Sequence, residues 1–376
     1  MSAITEPPKE IALKKLDPQI PAFNADEKLD TRSAKLWMPK QVLITPAAMD
    51  EPYGQELHDR LGDMGLPVRV MPSNRITGIR QPDERKTYTT AKRTLAIVKA
   101  PPSAFKLQPI PPSADWQFHL AEGCPGHCQY CYLAGSLSGP PIIRVFANLP
   151  TILENTQHYQ KDVVTSYEAS CYTDPLSLEH LTGGLAKTIE YFGQRERAHL
   201  RWVTKYDHVE PLLGLQHNGH TRCRISLNAE QISRKLEGGT ASVHARLQAM
   251  RQLALPQSQG GGNYPIGIVL APIMQIPDWE QHYTRLLNRI EEVLDFNCDL
   301  TFELITHRFT PGSKDVLMQW YPHTPLEMDE AKREVKRNKF GGRKYVLPKD
   351  TMKSMKQFFY QQVEKRFPQA EILYWT

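Results

Sequence analysis

Six cysteines in 376 residues are too few for a disulfide scaffold. The opening residues, MSAITEPPKE, hold no apolar run of the kind a secretory leader needs. Apolar stretches such as residues 266–274 fall far short of the roughly 20 residues that cross a bilayer. Neither sign of charge dominates, with 46 Lys and Arg against 41 Asp and Glu. These absences lead to an expectation of a cytoplasmic protein with no membrane partner. There thiols stay reduced, and clustered cysteines point to metal or catalysis rather than disulfides.

Three of the six cysteines are clustered. Cys124, Cys128 and Cys131 stand at C-x3-C-x2-C spacing in GCPGHCQYCYL, and no fourth cysteine is close in sequence. A closed structural zinc site takes four ligands, and an ordinary electron-transfer cluster takes four thiolates. Three thiolates on a four-iron cluster leave one iron free to bind something else. The alternatives are a zinc site completed by His127 or His119, and a cluster used only for electron transfer.

From residue 113 onward, short β-rich runs alternate with segments of helical period, the pattern of a parallel sheet covered by helices. Strands are expected at 115–121, 163–169, 200–204, 223–227, 265–270 and 300–306. Helices are expected around Leu181, Leu185, Ile189 and Phe192, around Val243, Leu247 and Met250, and over 279–296 with Asp278 as N-cap. Six strand–helix units suit an open partial barrel or a doubly wound sheet, and both hold ligands at the carboxyl ends of the strands. At or just past those ends stand Cys124, Cys171, Lys205, Ser226 with Asn228, Ala271-Pro272, and His307-Arg308. Residues 1–34 read as a disordered tail. Residues 35–112 read as a small α/β region ending in a proline-rich linker, and 313–376 as a basic hairpin and a helix.

Two basic runs flank the central region. Residues 332–344 hold Lys332, Arg333, Lys336, Arg337, Lys339, Arg343 and Lys344 against one acid, Glu334. Arg75, Arg80, Arg85, Lys86, Lys92 and Arg93 form the other. Either run alone reads as a solvated face; together they favour a polyanionic substrate.

The triplet, placed after the first strand of such a domain with Tyr130 before its last cysteine, resembles the C-x3-C-x-aromatic-C signature of the radical SAM superfamily. The blocks IRVFANL, EASCYTDPLSLEHL, RWVTKYDHVEPLL, RISLN, GIVLAPI and TFELITHRFT are similar, in order and spacing, to those of the spore photoproduct lyase family. The resemblance runs from about residue 114 to the C-terminus. It implies an α/β fold, a partial (β/α)6 TIM-like barrel of the radical SAM type over 113–312, with a small N-terminal α/β unit and a C-terminal β-hairpin plus helix.

It also implies an activity. A [4Fe-4S] cluster on Cys124, Cys128 and Cys131 binds S-adenosyl-L-methionine, whose cleavage yields a 5′-deoxyadenosyl radical. That radical repairs 5-thyminyl-5,6-dihydrothymine, the thymine dimer lesion of damaged DNA, through a carbon–carbon lyase reaction. The family's hydrogen donor falls on Cys171, and its relay tyrosines on Tyr130 and Tyr132. Lys205, Ser226, Asn228 and Ala271 fall near the cofactor, and Lys339, Phe340, Arg343 and Lys344 on the DNA. Where spore-former enzymes carry Arg-Tyr at the hairpin, this chain has Lys339-Phe340, exchanging a bidentate fork for a point charge. An electron donor such as flavodoxin or ferredoxin is implied. Competing readings are a radical SAM enzyme acting on another nucleic-acid lesion, and a non-catalytic metal-dependent nucleic-acid-binding protein.

Overall fold

The strand Ala198–Thr204 buries every second residue, while Thr221–Leu227 and Ile266–Ile273 are buried almost throughout. Near-continuous burial is what strands covered on both faces require. The computed structural model describes residues 29–137, 139–337 and 342–376, and Thr31–Thr376 form one compact unit. Six parallel strands succeed one another: Ala114–Phe118, Thr165–Ala169, Ala198–Thr204, Thr221–Leu227, Ile266–Ile273 and Leu300–Thr306. They are the six expected strands, with small shifts at the ends. Gln108–Ile110 joins one edge antiparallel and Glu371–Trp375 joins the other in parallel, giving an open, curled eight-stranded sheet.

The proline-rich stretch read as a linker is therefore part of the sheet. Its Leu107 is buried and donates its N–H to the Tyr159 hydroxyl at 3.2 Å. Residues 32–34, at the end of the stretch read as a tail, are also held. Ser242 N–H donates to Arg32 O at 2.9 Å, and buried Ala34 donates to Asp207 Oδ1 at 2.9 Å.

A second sheet runs in the order Val68–Val70, Gln41–Ile44, Thr94–Val98, Ile143–Phe146, Ala121–Glu122. Its last two strands come from the barrel region and bracket the cysteine segment, paired antiparallel at Ala121–Val145 and Glu122–Arg144. The cysteine loop is thus stitched into the N-terminal sheet. Gly123 opens it at φ +81°, where a Cβ would lie 2.3 Å from Ile142 O. Only glycine enters that turn without strain.

Among the helices, Val243–Ala254 is capped by the Ser242 hydroxyl. Asp278 does not cap Trp279–Val293 with its side chain; it sits in the left-handed region at φ 53°. That helix buries Tyr283, Leu287 and Ile290, and packs Tyr283 against Phe359 of the helix Lys349–Arg366 with ring centroids 5.0 Å apart. The hairpin Glu334–Arg337 with Arg343–Val346 is antiparallel. Lys339 and Phe340 lie outside the described residues.

Inside the sheet lies a buried charge network. Arg224 bonds Glu168 on one strand and Glu303 on another, at 2.8 Å for the latter. Arg201 and the Tyr374 hydroxyl also donate to Glu303, and Ser113 donates to Glu168. Burial opposes the Arg224 charge, but the two carboxylates outweigh it. Arg224→Met leaves both carboxylates buried without their shared partner. It is expected to cost about 3–5 kcal/mol in urea unfolding at pH 7, with a smaller loss near pH 4, where the stranded carboxyls take up protons.

Candidate active site

The predicted residues converge at the carboxyl ends of the barrel strands. Lys205 follows the strand Ala198–Thr204, and its ammonium donates to Ser226 Oγ at 2.7 Å, Glu237 Oε1 at 3.1 Å and Ala271 O at 3.3 Å. Tyr130 donates its hydroxyl to the same Glu237 oxygen, and the Lys205 ammonium lies 5.6 Å from its ring centroid. Tyr130, Ser226 and Ala271, three expected residues, thus meet around a fourth, the Lys205 ammonium. The three ammonium hydrogens are all engaged, so a ligand carboxylate would compete first with the long bond to Ala271 O. Asn228 sits deeper. It is buried, donates to Pro272 O at 2.8 Å and accepts from the Tyr283 hydroxyl at 2.9 Å.

Glu237 itself was not evident from the sequence. It is buried, its Oε2 accepts from Arg246 at 2.6 Å, and its backbone pairs with Cys128 in a short antiparallel bridge, with Gly238 opposite His127. Burial would raise its carboxyl pKa, but Arg246 and Lys205 outweigh that and hold it at about 2. The one visible signal was the Gly238-Gly239 pair after it, since Gly239 stands at φ +75° with His127 3.2 Å from where a Cβ would be. Asp174 was missed too. It is buried, accepts from the Thr204 hydroxyl and the Lys205 N–H, both at 2.7 Å, and is pushed up to about 6 by burial.

The three thiols of the triplet are half-buried. Burial pushes that of Cys124 up to about 12, with Lys92 pulling the other way. Lys92, counted with the surface basic run in the sequence, is buried beneath the loop and donates to Cys124 O and Gly126 O. Gly126 N–H donates to Cys124 Sγ at 3.3 Å. Tyr206 is 3% exposed, and its hydroxyl has no partner among the described residues although it stands 3.5 Å from where a Gly126 Cβ would lie. No three His, Cys, Asp or Glu side chains among the described residues are grouped as a site for one metal ion. Three soft thiols, a buried cation and an orphaned hydroxyl fit an anionic iron–sulfur cluster. The two histidines weighed as zinc ligands are placed otherwise. His127 Nδ1 is 2.8 Å from the Tyr88 hydroxyl, and His119 stacks on Tyr172 with centroids 4.6 Å apart.

Cys171 lies apart from the triplet, just past the strand Thr165–Ala169. Ser170 turns the chain there at φ 60°, a left-handed conformation costing roughly 1–2 kcal/mol for a residue with a Cβ. Three hydrogen bonds hold it: Ser170 N–H to Phe118 O at 2.7 Å, Leu120 N–H to Ser170 Oγ at 3.0 Å and Thr173 N–H to Ser170 O at 3.1 Å. Strain so over-determined is a mark of a functional position. Burial, then Glu168, pushes the Cys171 thiol above its ordinary range, so it keeps its proton. Tyr132 is 59% exposed.

Arg343 and Lys344 are exposed on the hairpin opposite Arg337 and Lys336. Arg333 is not part of that face. Its side chain is 5% exposed, paired with Glu327 at 2.6 Å and donating to His307 O at 3.2 Å.

The profile of the spore photoproduct lyase family matches residues 37–376. The spore photoproduct lyase of Geobacillus sp. (strain Y412MC61) is 39% identical over 349 residues, which is 91% of this chain and all of the relative. That of Bacillus subtilis (strain 168) is 37% identical over 346 residues, 90% of this chain and 99% of the relative. Among solved structures, a mutant spore photoproduct lyase with bound AdoMet and dinucleoside spore photoproduct superposes with a TM-score of 0.85 at 38% identity. It covers 91% of this chain and all of that one. Another, complexed with dinucleoside spore photoproduct, superposes at 0.84 with the same coverage.

Because the depressed pKa of Glu237 lies below the ordinary 4.5, its ion pairs contribute stability that is fully present above pH 4.5 and is lost as pH falls toward 2. Glu237→Gln is therefore expected to lower the urea midpoint of the iron-free protein at pH 7, and the gap from the parent should close below pH 4.5.

Proposed function

The chain belongs to the spore photoproduct lyase family, and we propose that it is a carbon–carbon lyase that returns 5-thyminyl-5,6-dihydrothymine in damaged DNA to two thymines. Cys124, Cys128 and Cys131 would hold a [4Fe-4S] cluster, and Lys205, Ser226, Asn228 and Ala271 would line the S-adenosyl-L-methionine site. When bound, these groups supply a 5′-deoxyadenosyl radical that takes the hydrogen from C6 of the lesion. Everything else falls to the side chains of the chain itself.

Cys171 quenches the product. Once the methylene bridge has broken, the remaining thymine-derived radical needs one hydrogen atom, and a protonated thiol gives it as S–H breaks and C–H forms. The observation that carries the reading is the position of Cys171, set just past the strand Thr165–Ala169 and apart from the triplet by the left-handed, hydrogen-bonded turn at Ser170. A thiyl radical left on Cys171 would return to the cofactor through Tyr132, the residue that follows Cys131 in the chain. Tyr130, bonded to Glu237 beside Lys205, belongs to the cofactor end of that route. The lesion must leave the base stack to meet these groups, and the Lys336, Arg337, Arg343 and Lys344 hairpin supplies the phosphate grip. The reductant is a one-electron donor such as flavodoxin or ferredoxin, in the cytoplasm. Among the described residues no helix is long and apolar enough to cross a membrane.

The deciding assay is repair of a synthetic spore photoproduct dinucleotide by anaerobically reconstituted, dithionite-reduced protein; absence of thymine would reject the proposal. Cys171→Ala should leave S-adenosyl-L-methionine cleavage intact while thymine yield falls at least tenfold and off-path adducts accumulate. Unchanged repair in that variant would remove Cys171 from the mechanism. Arg343→Ala with Lys344→Ala is expected to weaken oligonucleotide binding and to make the slope of log affinity against log salt shallower by about 1–2, read by fluorescence anisotropy.

A further inference from the structure

We propose that the helix Glu84–Ala91 is the port through which the cysteine loop receives its electron, and that its outer face docks an acidic one-electron carrier protein. The inference rests on the radical chemistry proposed above, which needs an electron from outside the chain.

The inner side of this segment touches the cysteine loop twice. Tyr88, buried on the inward face, meets His127 Nδ1 through its hydroxyl at 2.8 Å, and His127 stands between Cys124 and Cys128 in the chain. Lys92, the residue that ends the helix, donates to the carbonyls of Cys124 and Gly126. Tyr88 is in turn hydrogen-bonded to the Tyr321 hydroxyl and packed on Trp320, with ring centroids 4.9 Å apart. Both of those rings are half-buried. A packed bridge of rings and hydrogen bonds thus runs from the surface to the cluster ligands.

The outer side is basic. Arg85, Lys86 and Arg93 are exposed, and the Arg93 charge is close enough to bear on His127. Arg75 and Arg80 are exposed in the loop that leads to the helix. Over residues 75–93 five exposed basic side chains stand against two acids, Asp83 and Glu84; Asp83 caps the helix, accepting from Lys86 N–H at 2.7 Å, and pairs with the Lys86 ammonium at 3.4 Å. Such a face attracts an anionic partner and raises its association rate.

DNA and an acidic protein are both anionic, and position favours the protein. This patch backs directly onto the cysteine loop, whereas the exposed cations of the Glu334–Val346 hairpin lie on a separate element. In the docking step the carrier is oxidised by one electron and the cluster reduced by one; no bond or proton moves.

The test uses the reconstituted full-length protein and a purified acidic flavodoxin in its hydroquinone form as the probe. The variant carries Arg85→Glu, Lys86→Glu and Arg93→Glu. Cluster reduction by flavodoxin, followed anaerobically by stopped flow, is expected to slow at least tenfold in the variant. In the parent it should fall steeply with salt. Iron content, reduction by dithionite and oligonucleotide affinity should match the parent. Equal flavodoxin rates in the two proteins would overturn the proposal. So would a matching loss of oligonucleotide affinity, which would give the face to DNA. Failure of the parent to cleave S-adenosyl-L-methionine even with dithionite would instead sink the radical reading itself.

Discussion

One buried carboxylate joins the two halves of the site. Through its backbone Glu237 pairs with Cys128, and through its side chain it holds Tyr130, Lys205 and Arg246. The cysteine loop and the strand-end polar groups therefore cannot shift independently. A buried carboxylate is tolerable only while its cations stay in place. Arg246 is fully buried and also donates to Ser226 O at 2.9 Å and Ala241 O, which leaves it no room to relax. Lys205 is the mobile partner, with 17% of its side chain exposed. A ligand that displaced Lys205 from Glu237 would consequently bear on the cysteine loop.

The four thiols nearest the chemistry divide by what surrounds them. Burial raises all four, and Cys128 has the Glu237 carboxylate as its first charged neighbour, but Cys124 and Cys131 lie in a loop underlain by the buried Lys92 ammonium, whose charge favours thiolate. Cys171 has Glu168 as its strongest charged neighbour, with Arg224 opposing, surroundings that favour S–H. A hydrogen-atom donor needs the protonated form and a cluster ligand needs the ionised one. The charge network inside the sheet thus has a second consequence beyond stability: its carboxylate helps keep Cys171 in the form in which it can donate.

The barrel was legible because its signals are local. Short β-rich runs between helical periods located all six strands, and Lys205, Ser226 and Ala271, expected at the ends of three of them, meet at one ammonium. What escaped notice depends on partners distant in sequence. Glu237 reads as one more acidic residue at the end of the helix Glu230–Leu236, and nothing near it in sequence announces Cys128. Lys92 sits in a run of exposed cations and differs from them only in pointing under the cysteine loop. Ile143–Phe146 carries strand composition, yet its pairing with Thr94–Val98 crosses the presumed boundary between two regions. Asp278 failed as a cap for a backbone reason, since a left-handed residue does not place its carboxylate over the helix end.

The charges around the cysteine loop supply one more step. Lys92 lies beneath it, bonded to the Cys124 and Gly126 carbonyls, while Lys205 and Arg246 pair with Glu237 on its other side. The other nearby carboxyl, Asp174, is raised by burial to about 6, so it is mostly ionised at neutral pH, and it too weighs on the Cys124 thiol. Buried cations without counter-charges are costly, so the site is arranged for additional negative charge. Three thiolates on an iron–sulfur cluster, joined by the carboxylate of a bound amino acid, are charge of that sign where the excess of cations lies. Burial disfavours the Lys92 charge and the three thiols of the loop, when ionised, favour it, so the buried ammonium and a metal-bound set of thiolates stabilise one another whichever metal the loop holds.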